Sequence, residues 1–146
     1  MKTVEDILVA WEADCYIDDN HLGESSTSTA KLHAKYLRVL IEARMRRAKI
    51  EAEYNNTRKL KFRYYRGEMT RKELEELGWE QWQYAKPLKA EMDEILKGDG
   101  DLAKLHMRLE YVESIIYALE SIMQQIKQRD WQIKNSITWK QFLAGS

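Results

Sequence analysis

Eight apolar residues in the C-terminal third of the chain recur in alternating steps of three and four. They are Leu102, Leu105, Leu109, Val112, Ile116, Leu119, Met123 and Ile126. This heptad spacing places them on one side of a single α-helix, nearly four repeats long. Ile115 and Ile122 widen the stripe, so the helix is predicted to pack on more than one neighbour. We favour a central core helix of a helical bundle, with a coiled coil between subunits as the alternative.

Helical signals also dominate the rest of the chain, which has one Pro and six Gly in 146 residues. Low Pro and Gly with many Glu, Lys, Leu and Ala favour helices over sheets. Capping boxes are predicted at Thr3 and at Thr70, each with an acid three residues on. A long helix is predicted from near Ser28 to about Arg66, ended by Gly67. Residues 16–26 are rich in turn formers and are predicted to be a loop.

The net charge of zero conceals strong segregation of acids and bases along the chain. Residues 1–30 carry seven acids and one cation, whereas residues 31–72 carry fourteen cations and four acids. Residues 73–120 are again acidic, with twelve acids and five cations. A basic segment of this size predicts affinity for polyanions. The alternative is that the acidic and basic segments pair with each other, within or between subunits.

The basic stretch, residues 58–67, reads RKLKFRYYRG and concentrates this positive charge. Cations can neutralise phosphates and aromatic rings can stack on bases, which is the pairing that single-stranded nucleic acid binding requires. Its five cations and two tyrosines are therefore the candidate DNA-binding residues: Arg58, Lys59, Lys61, Arg63, Arg66, Tyr64 and Tyr65. The same pattern also suits an ordinary amphipathic helix end, with rings in the core and cations near the negative end of the helix dipole.

The C-terminal segment, residues 129–146, is unusually apolar for a chain end. Trp and Phe are enriched at the cores of protein interfaces. We predict a short apolar C-terminal helix that mediates self-association, in preference to docking on its own bundle. The candidate oligomerisation residues are Trp131, Ile133, Ile137, Trp139, Phe142 and Leu143.

No recognisable catalytic motif is present, and the chain is predicted not to be an enzyme. Neither GxGxxG nor GxxxxGK[ST] occurs, and no His or Cys has zinc-like spacing, so no cofactor or metal is predicted. Asp14, Asp18 and Asp19 could bind a nuclease metal, but a solvated turn is the favoured interpretation. No apolar run approaches the ~20 residues of a membrane span. The acidic N-terminus carries no apolar core of a signal peptide, so an intracellular protein is expected.

Three motifs in this order resemble the UvsY recombination mediators of large tailed bacteriophages. They are the basic YYxG stretch ending at residues 64–67, the D-L-x-K-L-x-x-x-L helix at 101–109, and R-x-W-x-I-K-N-x-I-x-W-x-x-F-x-A-G at 129–145. In that family, two cations just before YYxG bind DNA, and they match Lys59 and Lys61. The family pattern has Arg at the second cation and an acid just before the tyrosines, where this chain has Lys61 and Arg63.

The resemblance implies a single-stranded DNA-binding mediator that helps a phage recombinase load onto DNA covered by single-strand-binding protein. It also implies a homo-oligomer of about six or seven subunits in the cytoplasm of an infected bacterial host, associated through the C-terminal region. The predicted fold is therefore an all-α helical bundle that assembles as a homo-oligomeric ring. Residues 1–128 are predicted to form the DNA-binding domain and residues 129–146 the oligomerisation segment. The alternative function is a helical assembly or adaptor protein without nucleic acid binding.

Overall fold

The computed structural model of the chain describes residues 1–145, and these contain α-helices, one 3₁₀ turn and loops, with no β-strand. The predicted all-α class is therefore confirmed. The six α-helices are α1 (Val4–Asp14), α2 (Leu22–Thr27), α3 (Thr29–Tyr65), α4 (Arg71–Leu77), α5 (Met92–Lys97) and α6 (Gly100–Leu143), with the 3₁₀ turn at Lys89–Glu91 just before α5. None of the described helices is long and apolar enough to cross a membrane.

Both predicted capping boxes cap a helix. At α1, Thr3 Oγ1 accepts the backbone N–H of Asp6 at 3.0 Å, and the Asp6 carboxylate accepts the backbone N–H of Thr3. At α4, Thr70 Oγ1 accepts the backbone N–H of Glu73 at 3.2 Å. These contacts satisfy backbone donors that the first helical turn leaves without partners.

Two sequence predictions about local structure were wrong. Residues 16–26 do not form a continuous loop, because α2 begins at Leu22. The C-terminal segment is not a separate short helix either, since α6 continues unbroken to Leu143. Neither Gly nor Pro interrupts residues 101–143, and the buried residues Ile126, Arg129 and Ile133 keep helical spacing across the expected break.

The described chain divides into two compact units. The first contains Met1–Arg46 and the chain from Val112 onward, and α1, α3 and α6 supply its core. That core consists of Ile7, Tyr36, Leu40, Ala43, Ile115, Leu119, Ile122 and Ile126. Ile115 and Ile122, expected only to widen the stripe, are fully buried, whereas Ile116 and Met123 are half-buried against the core.

Tyr36 and Arg129 fix the edges of this first core with polar contacts. The Tyr36 hydroxyl donates to Asp14 Oδ2 at 2.8 Å, and Lys35 Nζ lies 2.6 Å from the same oxygen. Arg129 is buried, and its guanidinium donates to the backbone carbonyls of Ser25 and Cys15 at 3.4 and 3.5 Å. These contacts hold α2 and the end of α1 to the unit.

The second unit, Arg47–Tyr111, holds the end of α3, helices α4 and α5, and the start of α6. Its core is small: Met92, Leu96 and Leu102 are buried, with Tyr54, Phe62 and Tyr65 packed against them. Because Phe62 and Tyr65 belong to the basic stretch, the last turns of α3 are held by this core.

Candidate nucleic-acid interface

The basic stretch forms the last two turns of α3 and the turn that follows. Gly67 adopts a left-handed conformation, with φ of 67°, and the backbone N–H of Glu68 donates to the carbonyl of Arg63 at 2.9 Å. This geometry is the usual glycine stop of a helix, as the sequence predicted. The stretch therefore has a fixed end, and its side chains project from a defined helix terminus.

Lys61 is the most buried cation of the stretch, with only 7 % of its surface exposed. Its Nζ lies 3.1 Å from Asp99 Oδ2 and 2.8 Å from Asp101 Oδ2. Asp99 is also buried; it accepts the Tyr65 hydroxyl at 2.6 Å and the backbone N–H of Leu102 at 3.0 Å. Together these residues form the Lys61–Asp99 cluster, which joins the end of α3 to the start of α6.

The charged forms are favoured within this cluster. Burial opposes ionisation of Asp99, but the hydrogen bonds from Tyr65 and Leu102 and the charge of Lys61 outweigh it, so its pKa is lowered. Burial likewise opposes the charge of Lys61, but its contacts with Asp101 and Asp99 raise its pKa overall. Burial and the hydrogen bond to Asp99 raise the pKa of the Tyr65 hydroxyl well above its ordinary value. The cluster is therefore a stable, charged joint at neutral pH.

Arg58, Arg63 and Arg66 contact other parts of the second unit. Arg58 pairs with Asp93 at 3.1 Å, and Arg63 pairs with Glu73 at 2.9 Å. The hydrogen bond from Arg63 lowers the pKa of Glu73. Arg66 Nη1 donates to the carbonyl of Pro87 at 2.6 Å. The arginines thus combine a positive charge with a structural contact.

Lys59 differs from the other four cations because it is exposed and has no ion pair within residues 1–145. Tyr64 and Tyr65 are half-buried, and their hydroxyls are hydrogen-bonded, Tyr64 to the carbonyl of Glu80 and Tyr65 to Asp99. The DNA-binding role of each residue remains a prediction. The exposed Lys59 side chain is accessible to a ligand, whereas the Lys61 ammonium is bound to Asp99 and Asp101.

Sequence reasoning missed two features beside the basic stretch. Asp99 binds Lys61 and Tyr65 in addition to accepting the backbone N–H of Leu102 at the start of α6. Residues 79–87 form a loop whose rings and backbone contact the last turn of α3 and the residues just after it. Lys61 Nζ lies 4.3 Å from the ring centroid of Trp79. The clustering of Trp79, Trp82 and Tyr84 within six residues is a local signal that could have indicated this contact.

The candidate oligomerisation residues divide into one buried and five exposed side chains. Ile133 is buried within its own unit. Large parts of the others are exposed at the end of α6: Trp131, Ile137, Trp139, Phe142 and Leu143. The rings of Trp139 and Phe142 stack with centroids 5.5 Å apart. An exposed apolar surface of this kind is typical of a protein interaction site.

Asp14 and Asp18, two of the acids considered as ligands for a nuclease metal, are engaged in other contacts. Asp14 binds Lys35 and Tyr36 in the first unit, and Asp18 accepts His21 and the backbone N–H of Asn20. Within residues 1–145, no group of three or more His, Cys, Asp or Glu side chains is arranged to hold a metal ion.

Comparisons with known proteins agree with this architecture. The profile of the family described as "Recombination, repair and ssDNA binding protein UvsY" matches residues 10–146. The recombination protein uvsY of Enterobacteria phage T4 is 25% identical over 142 residues, covering 97% of this chain and 98% of that protein. Two crystal forms of the bacteriophage T4 recombination mediator protein UvsY match with TM-scores of 0.86 and 0.83, each at 22% identity. The first covers 99% of both chains, and the second covers 94% of this chain and 98% of the other.

Proposed function

The chain belongs to the UvsY family, and on that premise we propose that it is a non-enzymatic, single-stranded DNA-binding recombination mediator. It would help a phage recombinase assemble on single-stranded DNA covered by single-strand-binding protein, in the cytoplasm of an infected bacterium. The observation that carries the proposal is the family match over residues 10–146. The T4 relative is itself named a recombination mediator protein.

The basic stretch is the proposed DNA-binding surface, and its cations contribute in two ways. Lys59 is exposed and has no ion-pair partner among residues 1–145, so it can neutralise a phosphate without breaking a contact seen there. Arg58 pairs with the highly exposed Asp93, and an ion pair of this kind is worth only ~0–1 kcal/mol, so a phosphate can compete for Arg58. Arg63 binds Glu73 through two guanidinium nitrogens, at 2.9 and 3.1 Å, so it adds positive charge to the surface while keeping that contact. Lys61 and Arg66 have a structural role in the proposed surface. Lys61 holds α3 to α6 and Arg66 holds the 79–87 loop.

Self-association would repeat this surface around a homo-oligomer. The proposed contact is the exposed apolar part of residues 129–146, with Trp139 and Phe142 at its centre. Weak DNA sites joined in one body act at high effective concentration, so repetition raises the affinity for a long strand. A ring of about six or seven subunits, as the family resemblance implies, would let a strand contact several copies of the basic stretch.

A fluorescence anisotropy titration with a labelled single-stranded oligonucleotide, repeated at several salt concentrations, tests the DNA-binding surface. Lys59→Ala should weaken binding and flatten the log–log salt dependence by ~0.7 for each phosphate that is no longer neutralised. Lys127→Ala is the matched control, because Lys127 is an exposed lysine in the other compact unit. Wild-type protein that fails to bind at low salt would favour the adaptor alternative.

The mediator role requires a separate experiment with the phage recombinase. The chain should shorten the delay before the recombinase hydrolyses ATP on DNA pre-covered with single-strand-binding protein. Lys59→Ala should lengthen that delay again. No effect of the wild-type chain on the delay would contradict the mediator role while leaving DNA binding intact.

Light scattering on the eluting protein tests self-association. Replacing Trp139 and Phe142 with Ser should lower the molar mass from an oligomer towards 17.4 kDa, the mass of one chain. Tyr117→Ser, which alters an exposed ring elsewhere on α6, is the control. A wild-type protein that elutes as a monomer would overturn the ring.

A further inference from the structure

The loop at residues 79–87 is held against the basic stretch at both of its ends. At one end, the Tyr64 hydroxyl donates to the carbonyl of Glu80. At the other end, Arg66 donates to the carbonyl of Pro87. Residues of the basic stretch make both contacts, so the loop and the basic stretch form one continuous surface in the second unit.

Tyr84 is the exposed outer ring of an aromatic cluster formed by this loop and the end of α3. Its side chain is highly exposed, with a relative accessibility of 75%, and its ring lies 4.8 Å from the ring of Trp82. Trp82 in turn contacts Tyr65 edge-to-face at 4.7 Å, with the planes at 88°. The inner rings therefore support Tyr84 from behind and leave much of it open. A ring that is already positioned loses little conformational freedom when it binds a ligand.

The charge around Tyr84 favours an anionic ligand. Lys86 is exposed and, within the described residues, has no ion pair. Glu80 is the only acid in the sequence of the loop. A flat exposed ring two residues from an exposed lysine repeats the combination that binds single-stranded nucleic acids, in which bases stack and phosphates are neutralised.

We propose that this loop is a second element of the DNA-binding surface, in which Tyr84 stacks on a base and Lys86 contacts a backbone phosphate. The inference rests on the proposed function, because it requires the basic stretch to bind single-stranded DNA. It assigns to the loop the base-stacking role that the half-buried Tyr64 and Tyr65 are poorly placed to perform.

Stacking and charge neutralisation have different signatures in a salt titration. Tyr84→Ala should weaken binding to labelled oligo-dT about 5- to 150-fold at fixed salt, the range expected when one base stack is removed. Its salt slope should be unchanged, because every phosphate contact is kept. Tyr84→Phe keeps the ring and should bind like the wild type. Lys86→Ala should flatten the slope by ~0.7 per phosphate. Tyr117→Ala, at an exposed ring in the other unit, should have no effect.

An oligonucleotide with abasic sites provides a test from the ligand side. Wild-type protein and Tyr84→Phe should bind it more weakly than oligo-dT, whereas Tyr84→Ala should discriminate less between the two. Thermal melting of each variant controls for folding, and Tyr84→Leu, which keeps an apolar side chain but removes the aromatic face, carries the test if the Ala variant unfolds. Equal discrimination by wild type and Tyr84→Ala would overturn the inference. If Lys59→Ala flattens the salt slope while Tyr84→Ala binds DNA like the wild type, the loop proposal alone fails. If the wild-type protein does not bind single-stranded DNA at all, the proposed function itself fails.

Discussion

Replacing Lys61 with Met separates structural support from DNA contact. The substitution keeps an unbranched chain of similar length but leaves Asp99 buried without its cation. Removing one partner of a buried ion pair typically costs ~3–5 kcal/mol. Asp99 keeps its hydrogen bonds from Tyr65 and Leu102, and Asp101 is an exposed partner. We therefore expect the lower end of that range, about 3 kcal/mol of unfolding free energy.

Chemical denaturation at a fixed protomer concentration measures this loss. Keeping the concentration fixed matters because self-association stabilises the folded chain by mass action. A loss of about 3 kcal/mol corresponds to a melting temperature lower by roughly 6–12 °C at this chain length. Lys59→Met is the matched control: it is the same change two residues away, at an exposed lysine without an ion pair in the described part of the chain. It should alter stability by less than about 0.5 kcal/mol.

The double variant Lys61→Met/Asp99→Asn tests whether the loss comes from the ion pair itself. Removing both charges should leave it more stable than the sum of the single losses predicts, by at least ~0.5 kcal/mol. The single variant Lys61→Met should have the same DNA salt slope as the wild type, provided that the titration is done at a temperature where this variant remains folded. The reasoning would be refuted if Lys61→Met had an unfolding free energy within about 1 kcal/mol of the wild type and a DNA salt slope flattened by ~0.7. Such a result would identify Lys61 as a phosphate contact.

Two further predictions concern carboxylates that are held in their charged forms. Tyr36→Phe removes the hydroxyl bonded to Asp14 and should cost about 1–2 kcal/mol in a urea titration; an unchanged midpoint would contradict the importance of that bond. Burial opposes ionisation of Asp14 and Asp99, but hydrogen bonds and nearby cations lower both pKa values overall. The unfolded chain therefore binds more protons in acid, so this stabilisation is present above about pH 4 and is lost as pH falls through the lowered values. Thermal melts from pH 7 to pH 2.5 should show this loss, and Asp99→Asn should show a smaller one.

The sequence predicted two helix caps and one helix stop correctly because these features depend on neighbouring residues. The caps at Thr3 and Thr70 and the stop at Gly67 each follow from residues three or fewer positions apart. The partners of Lys61 lie 38 and 40 positions away, and no local pattern indicates that contact. The sequence likewise left open whether the basic segment binds a polyanion or pairs with the acidic segment. The structure pairs Arg58, Lys61 and Arg63 with acids of residues 73–120, and such pairing does not by itself exclude DNA.

The substitution Asp93→Asn tests whether the Asp93 carboxylate and a DNA phosphate compete for Arg58. Its side chain is highly exposed, and it pairs with Arg58, whose side chain is partly exposed. A pair of this kind contributes at most ~1 kcal/mol, so Asp93→Asn should leave stability almost unchanged. The same substitution removes a negative charge next to a proposed phosphate contact and frees Arg58. We therefore expect tighter binding to single-stranded DNA and a salt slope steeper by up to ~0.7. Glu94→Gln, which removes a neighbouring exposed acid that pairs with Lys97 instead, is the control. If Asp93→Asn binds DNA no more tightly than this control, Arg58 does not exchange its carboxylate for a phosphate and serves only to hold α3 to α5.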